Sequence, residues 1–125
     1  MGMFEGIPYA DLRIDSIDWL HRADHIRTRS KHYGPNEFDV EPEWATEAAL
    51  DPLRLIGSGS SKTSVQIVGW SASAPGRAPG TGGRVLKVWL VPKDHPPSSG
   101  DWWGASACDG NQADRRAYGR EAGDG

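Results

Sequence analysis

The sequence predicts a single α+β domain, in which N-terminal helices pack on a three- to four-stranded antiparallel sheet and a short C-terminal helix closes the chain. Three observations predict it. Apolar residues recur at three- and four-residue steps between Ile14 and Lys31, the period of a helix face. From Leu53 onward the pattern changes to short apolar runs with polar alternates, punctuated by Gly, Ser and Pro, as in strands and turns. No crossover helix separates these strands, which implies antiparallel neighbours. The 125 residues suit one domain, spanning 1–125, and six tryptophans from Trp19 to Trp103 are spread widely enough to build its core from every element.

Each element has its own signal. Residues 1–11 have no clear period and are expected to be flexible. Over Ile14–Lys31, Trp19, Ala23, Ile26, Ser30 and Tyr33 share one helix face, with Asp15 or Ser16 as N-cap. The basic residues gather toward the C-terminal end, where they suit the helix dipole, and Gly34-Pro35 stops the helix. Asn36 can cap a second, short helix holding Phe38 and Val40. Pro42 breaks or restarts it, and 43–50 is again helical. Asp51-Pro52 is a turn, 53–56 a short apolar run, and 57–62 a Gly/Ser-rich loop. Val65, Ile67, Val68 and Trp70 mark a strand. Residues 71–83 read as a flexible loop, 84–91 as a central strand covered on both faces, 92–100 as a Pro-rich loop and 102–107 as a fourth strand. Residues 110–120 read as a short helix, and 121–125 are expected to be flexible.

Composition narrows the function classes. A single cysteine, Cys108, cannot form an internal disulfide. No stretch is long and apolar enough to cross a membrane, and residues 1–10 lack the basic and apolar regions of a signal peptide. The expected location is therefore cytoplasmic. The net charge of −3 argues against a nucleic-acid binder, because phosphate contacts dominate such affinities. Its distribution points the other way. Between His21 and His32 lie Arg22, Arg27, Arg29 and Lys31 with three histidines and one acid, Asp24, while the acids gather over 37–51. A local basic patch can act within an acidic protein.

Three pieces of the chain, between Trp19 and Tyr118, carry a resemblance. The first is the basic helix ending in Lys31-His32-Tyr33-Gly34, followed by Glu37-Phe38-Asp39-Val40-Glu41. The second is Asp51-Pro52-Leu53, then Val65 to Ser71, Gly83-Arg84 and Val85 to Val91. The third is Ser106-Ala107 with Asp114-Arg115-Arg116-Ala117-Tyr118. Together they resemble BrnT-like toxins, a branch of the RelE superfamily. The resemblance implies a bacterial toxin–antitoxin module, a RelE-like fold that cleaves RNA, and a cognate antitoxin that forms a hetero-oligomer with the toxin and masks it. The sequence departs from the family pattern at Cys108 to Gln112, where relatives carry basic residues, and in the long insertions 72–82 and 92–100.

Metal-independent cleavage of RNA by its own 2′-hydroxyl needs proton transfer and stabilisation of charge on the phosphate oxygens. Histidine suits the first task near neutral pH, and Arg and Lys the second. In the matched turn His32 and Lys31 are the candidate catalytic residues. Arg29, Arg84, Arg115 and Arg116 are candidates to bind RNA phosphate. On this reading Lys31, His32, Arg84 and either Arg115 or Arg116 converge on one concave face. Each has a plainer alternative: His32 can cap the turn, His21, His25, Arg29 and His32 can form a solvated helix stripe, and Arg84 can be a surface charge. His21 and His25 have metal-ligand spacing but no third ligand, so no metal and no other cofactor is expected. Gly57 to Thr63 lacks phosphate-loop spacing and precedes a strand. The alternative function is a non-catalytic protein-binding module that keeps the toxin fold.

Overall fold

The structure, a computed structural model, describes residues 2–59 and 61–119. Met3–Phe4 (β1) and Ile7–Pro8 (β2) form a small antiparallel hairpin, and a 3-10 turn over Tyr9–Asp11 follows. Next come Ser16–Asp18 (β3), three helices at Ala23–Arg27 (α1), Arg29–Tyr33 (α2) and Pro42–Ala49 (α3), and Leu55–Ser58 (β4). Val65–Pro75 (β5), Gly82–Pro92 (β6), Asp101–Asp109 (β7) and Gln112–Tyr118 (α4) complete the order. Among the described residues the main sheet has five strands in the order β3-β7-β6-β5-β4. All neighbours are antiparallel except β3 and β7, which run parallel with Ile17 opposite Trp102. No helix is long and apolar enough to cross a membrane.

The mixed α+β class stands, and several finer expectations are corrected. The sheet is five-stranded and mixed rather than three- to four-stranded and antiparallel. Residues 16–18, expected inside a long helix, are an edge strand, so neither Asp15 nor Ser16 caps a helix. The rest of that segment is two short helices broken at Thr28, whose hydroxyl bonds back to the Asp24 carbonyl at 2.6 Å. A hydroxyl competing for the backbone in this way interrupts the helical ladder. Segment 35–41 forms no helix, and Pro42 starts α3 at its first turn, where proline costs no hydrogen bond. The stretch 71–83 is mostly strand: β5 runs to Pro75 and β6 begins at Gly82, with an irregular register between Ser71 and Pro75. Residues 1–11, expected to be flexible, contribute the hairpin, and Phe4 is buried against the Trp102 ring. Residues 121–125 lie outside the described residues.

The core fills the face of the sheet under α1 and α3. Leu86, Val88 and Leu90 of β6 alternate toward it, opposite Gly69, Ile67 and Val65 of β5. Ile26, Val40, Ala45 and Ala48 cover them from above, all fully buried, with Trp102 beside them. Each large apolar side chain buried here contributes about 1.5–3 kcal/mol. The two core indoles also satisfy their N–H groups: Trp19 donates to Thr46 Oγ1 at 3.1 Å and Trp102 to the Arg13 carbonyl at 2.8 Å. Gly69 permits the close helix–sheet approach, since a Cβ there would stand 1.9 Å from the Ala48 carbonyl oxygen.

Strand β4 is shorter than β5 and leaves part of its edge without a strand partner. Two carboxylates near the end of α3 take that place. Asp51 accepts the Trp70 and Leu53 N–H groups, both at 2.9 Å, and the Tyr118 hydroxyl from α4. Glu47 accepts the Ser71 hydroxyl at 2.8 Å and the Ser73 N–H at 3.0 Å, and these bonds, the Ser73 hydroxyl's foremost, hold its carboxyl below the usual range. Helix α4 packs on the opposite sheet face. A capping box between Asn111 and Asp114 opens it, and Asp114 also pairs with Lys87 of β6 at 3.0 Å. Asn111, one of the non-basic residues before α4, therefore serves to start this helix.

Candidate nucleic-acid interface

Side-chain alternation along β6 sends Lys87, Trp89 and Val91 to the face away from the core. Their partners on β7 are Cys108, Ser106 and Trp103. An extra residue in β7, Ala105, bulges the ladder between Ser106 and Gly104. The Arg22 side chain reaches this bulge and donates its Nε–H to the Ala105 carbonyl at 2.9 Å. Helices α1 and α2 are thereby held at the β7 edge, with Ile26 buried in the core and Arg22, Arg29 and Tyr33 facing the other way. These three side chains, with Trp89, Ser106 and the Ser61–Ser64 loop, line a groove of about 440 Å³.

The break at Thr28 brings two histidines seven residues apart onto one another. His25 and His32 stack with ring centroids 5.3 Å apart, and Tyr33 stands edge-on to His25, its hydroxyl 3.5 Å from Nε2. The Arg29 guanidinium lies over the Tyr33 ring at 4.6 Å. Partial burial, with Arg22, His32 and Arg29 nearby, lowers the His25 pKa and so favours the neutral imidazole.

The basic segment is less free than its composition implies. The acidic stretch after Gly34 folds back onto it: Arg29 pairs with Glu37 at 2.9 Å and Arg27 with Glu41 at 3.1 Å. Asp39 ties the same return to α2 by accepting the Ser30 N–H at 2.7 Å. Arg22 and Lys31 are exposed and form no ion pair among the described residues.

The predicted site residues divide. Arg29 lines the groove and His32 stacks on His25 beside it, while Lys31 is exposed on α2 and is not among the residues that line the groove. Arg84 does not join them, which corrects the expected convergence. It projects to the core face, opposite Ser71, and is nearly buried. There its guanidinium pairs with Asp109 at 3.1 Å, donates to the Pro75 carbonyl and lies 4.0 Å over the Phe38 ring. Arg77 grips the same Asp109 through two bonds. Arg84 is thus neither a phosphate ligand on the groove face nor a surface charge. Arg115 turns back to the Gly110 carbonyl at 2.9 Å, and Arg116 is exposed on α4. The predicted stripe of His21, His25, Arg29 and His32 loses His21, which precedes α1 and packs against Trp103.

Trp89 and Ser106 were not singled out by sequence, and Arg22 and Tyr33 were named there only as part of the basic segment and of the helix with its turn. The alternation of β6 marks Trp89 as facing away from Val88 and Leu90, but only the pairing of β6 with β7 puts Ser106 beside it. Burial pushes the Cys108 thiol up, which makes it a poor nucleophile. Among the described residues no cluster of three or more His, Cys, Asp or Glu is placed to hold a metal ion. Lys62 precedes a strand rather than a helix, in keeping with the absence of phosphate-loop spacing. No protein-family model matches the chain, and no curated protein or solved structure compared with it does so either.

Proposed function

We propose that this chain is an endoribonuclease that cleaves RNA without a metal, the toxin of a toxin–antitoxin module with a RelE-like, BrnT-like fold. One observation carries the reading: Arg22 and Arg29 line the same groove as Trp89 and Tyr33, with the His25–His32 pair beside it. Two guanidiniums suit a phosphate, the aromatic rings suit a base, and a neutral imidazole suits proton abstraction. The α+β class and the antiparallel run β4-β5-β6-β7 followed by a closing helix are what the fold contributes to this reading.

In this mechanism His25 or His32 takes the proton of the 2′-hydroxyl, whose oxygen forms a bond to phosphorus. The bond from phosphorus to the 5′-oxygen breaks, and that oxygen takes a proton from Lys31 or the other histidine. The products are a 2′,3′-cyclic phosphate and a 5′-hydroxyl. Arg29 and Arg22 stabilise the charge that develops on the phosphate oxygens. A cognate antitoxin would mask the groove.

The pairing of Arg27 and Arg29 with Glu41 and Glu37 favours a second reading, a protein-binding module that keeps the toxin fold and has lost catalysis. Inducible expression of the chain in bacteria separates the two. Growth arrest with new RNA 5′ ends is expected, and both should vanish in an Arg22→Ala/Arg29→Ala variant and a Lys31→Ala/His32→Ala variant. Unchanged growth and RNA from folded, well-expressed protein would establish the second reading.

A further inference from the structure

A second aromatic platform lies outside the groove lining, on the same face of the sheet. Trp103 stands on the same sheet face as Trp89, because Trp103 pairs with Val91 and Ser106 with Trp89. Trp89 and Trp103 are therefore diagonal cross-strand neighbours, a relation that sets side chains about 7–8 Å apart. That is roughly twice the step of a stacked strand, which suits successive nucleotides of an extended one.

Both indoles are partly exposed, and each has a cation at its ring. Lys93 lies 4.2 Å over Trp103 and Lys87 lies 5.9 Å from the Trp89 ring. The His21 ring is 5.1 Å from Trp103, tilted by 48°. Lys93 also pairs with Asp18 at 3.1 Å, an ion pair that solvent reaches on both sides. Such exposed pairs contribute little and exchange partners readily. Arg22, bonded to the Ala105 carbonyl, sits over the step of β7 between the two platforms.

We propose that Trp103, Lys93 and His21 form a second base-and-phosphate subsite beside the Arg22–Arg29 groove, so that the protein takes a single strand of at least two nucleotides. The inference rests on the nucleic-acid reading of the groove. A base stacks on Trp103 in place of the Lys93 ammonium, and the displaced ammonium meets the phosphate that joins the two nucleotides. Stacking on aromatic rings is tolerant of sequence, so this subsite adds affinity for length rather than for a particular base.

The test uses oligodeoxythymidylates of one to six residues, which lack the attacking 2′-hydroxyl and bind without being cut. Affinity is read by tryptophan fluorescence for the wild-type protein, Trp103→Leu and Lys93→Gln. The wild type should gain affinity steeply between one and three residues. Each variant should lose that gain, weakening the longer oligomers by about tenfold while leaving the mononucleotide unaffected. Lys93→Gln alters an exposed side chain and guards against a folding defect in Trp103→Leu. A length dependence identical in all three proteins overturns the subsite and leaves the ribonuclease reading intact. A wild type that binds no oligomer of any length overturns both.

Discussion

Replacing Arg29 with alanine is expected to slow RNA cleavage by about two to three orders of magnitude, the usual cost of removing one preorganised donor to a developing oxyanion. Arg29 is the cation whose geometry is best fixed. Glu37 holds its Nε–H at 2.9 Å and Tyr33 supports the plane of its guanidinium at 4.6 Å. The remaining N–H groups are thus presented to the groove without a large ordering cost at the moment of reaction. Single-turnover rates on a saturating RNA would show the effect as a loss of rate rather than of affinity. Their pH profile carries a second sign. A general base works only when deprotonated, and the neutral form of His25 is favoured by partial burial and by Arg22, His32 and Arg29. If His25 is that base, the acid limb of the profile lies below the ordinary histidine range and moves when Arg22 is removed. An Arg29→Ala protein as fast as the wild type would exclude Arg29 from the reaction.

Asp51→Ala is expected to have the largest effect on stability, a loss of about 3 kcal/mol measured by urea unfolding. One carboxylate there joins three parts of the chain: the turn after α3 through the Leu53 N–H, the uncovered edge of β5 through the Trp70 N–H, and α4 through the Tyr118 hydroxyl. Alanine leaves the partly buried Trp70 donor without its acceptor and frees the end of α4 at once. Tyr118→Phe removes only the last of these bonds and should cost about 1 kcal/mol. Equal losses in the two variants would mean that the strand-edge bond contributes nothing.

The parts of the fold that were legible in the sequence are those fixed by local pattern. The apolar run around Val85–Val91 marked β6 within two residues of each end, and the Gly34-Pro35 stop and the α3 segment were read correctly. Strand β3 was not legible. Its three residues sit in a stretch whose three- and four-residue spacing fits a helix, and what makes it a strand is a parallel partner more than eighty residues away. The break at Thr28 was missed because a β-branched hydroxyl residue is tolerated in many helices, and only its bond to the Asp24 carbonyl shows the interruption.

The candidate groove was legible only in part. Arg29 was named from the basic segment, and His32 and Lys31 from the turn that carries the resemblance. Trp89 and Ser106 needed the register of β6 on β7, including the bulge at Ala105. Arg84 was placed at a phosphate because it opens a strand. Its partner Asp109 is twenty-five positions away, and no local pattern foretells that pair or the Phe38 ring above it.

The central claim is that this chain cuts RNA by itself and without a metal. The most direct measurement incubates the purified protein with a defined single-stranded RNA in excess EDTA and determines the chemistry of the new ends. Fragments ending in 2′,3′-cyclic phosphate and beginning with 5′-hydroxyl, formed by the wild type and not by Arg22→Ala/Arg29→Ala, are the expected result. RNA that stays intact with folded protein, or that is cut only when a divalent metal is restored, would contradict the account.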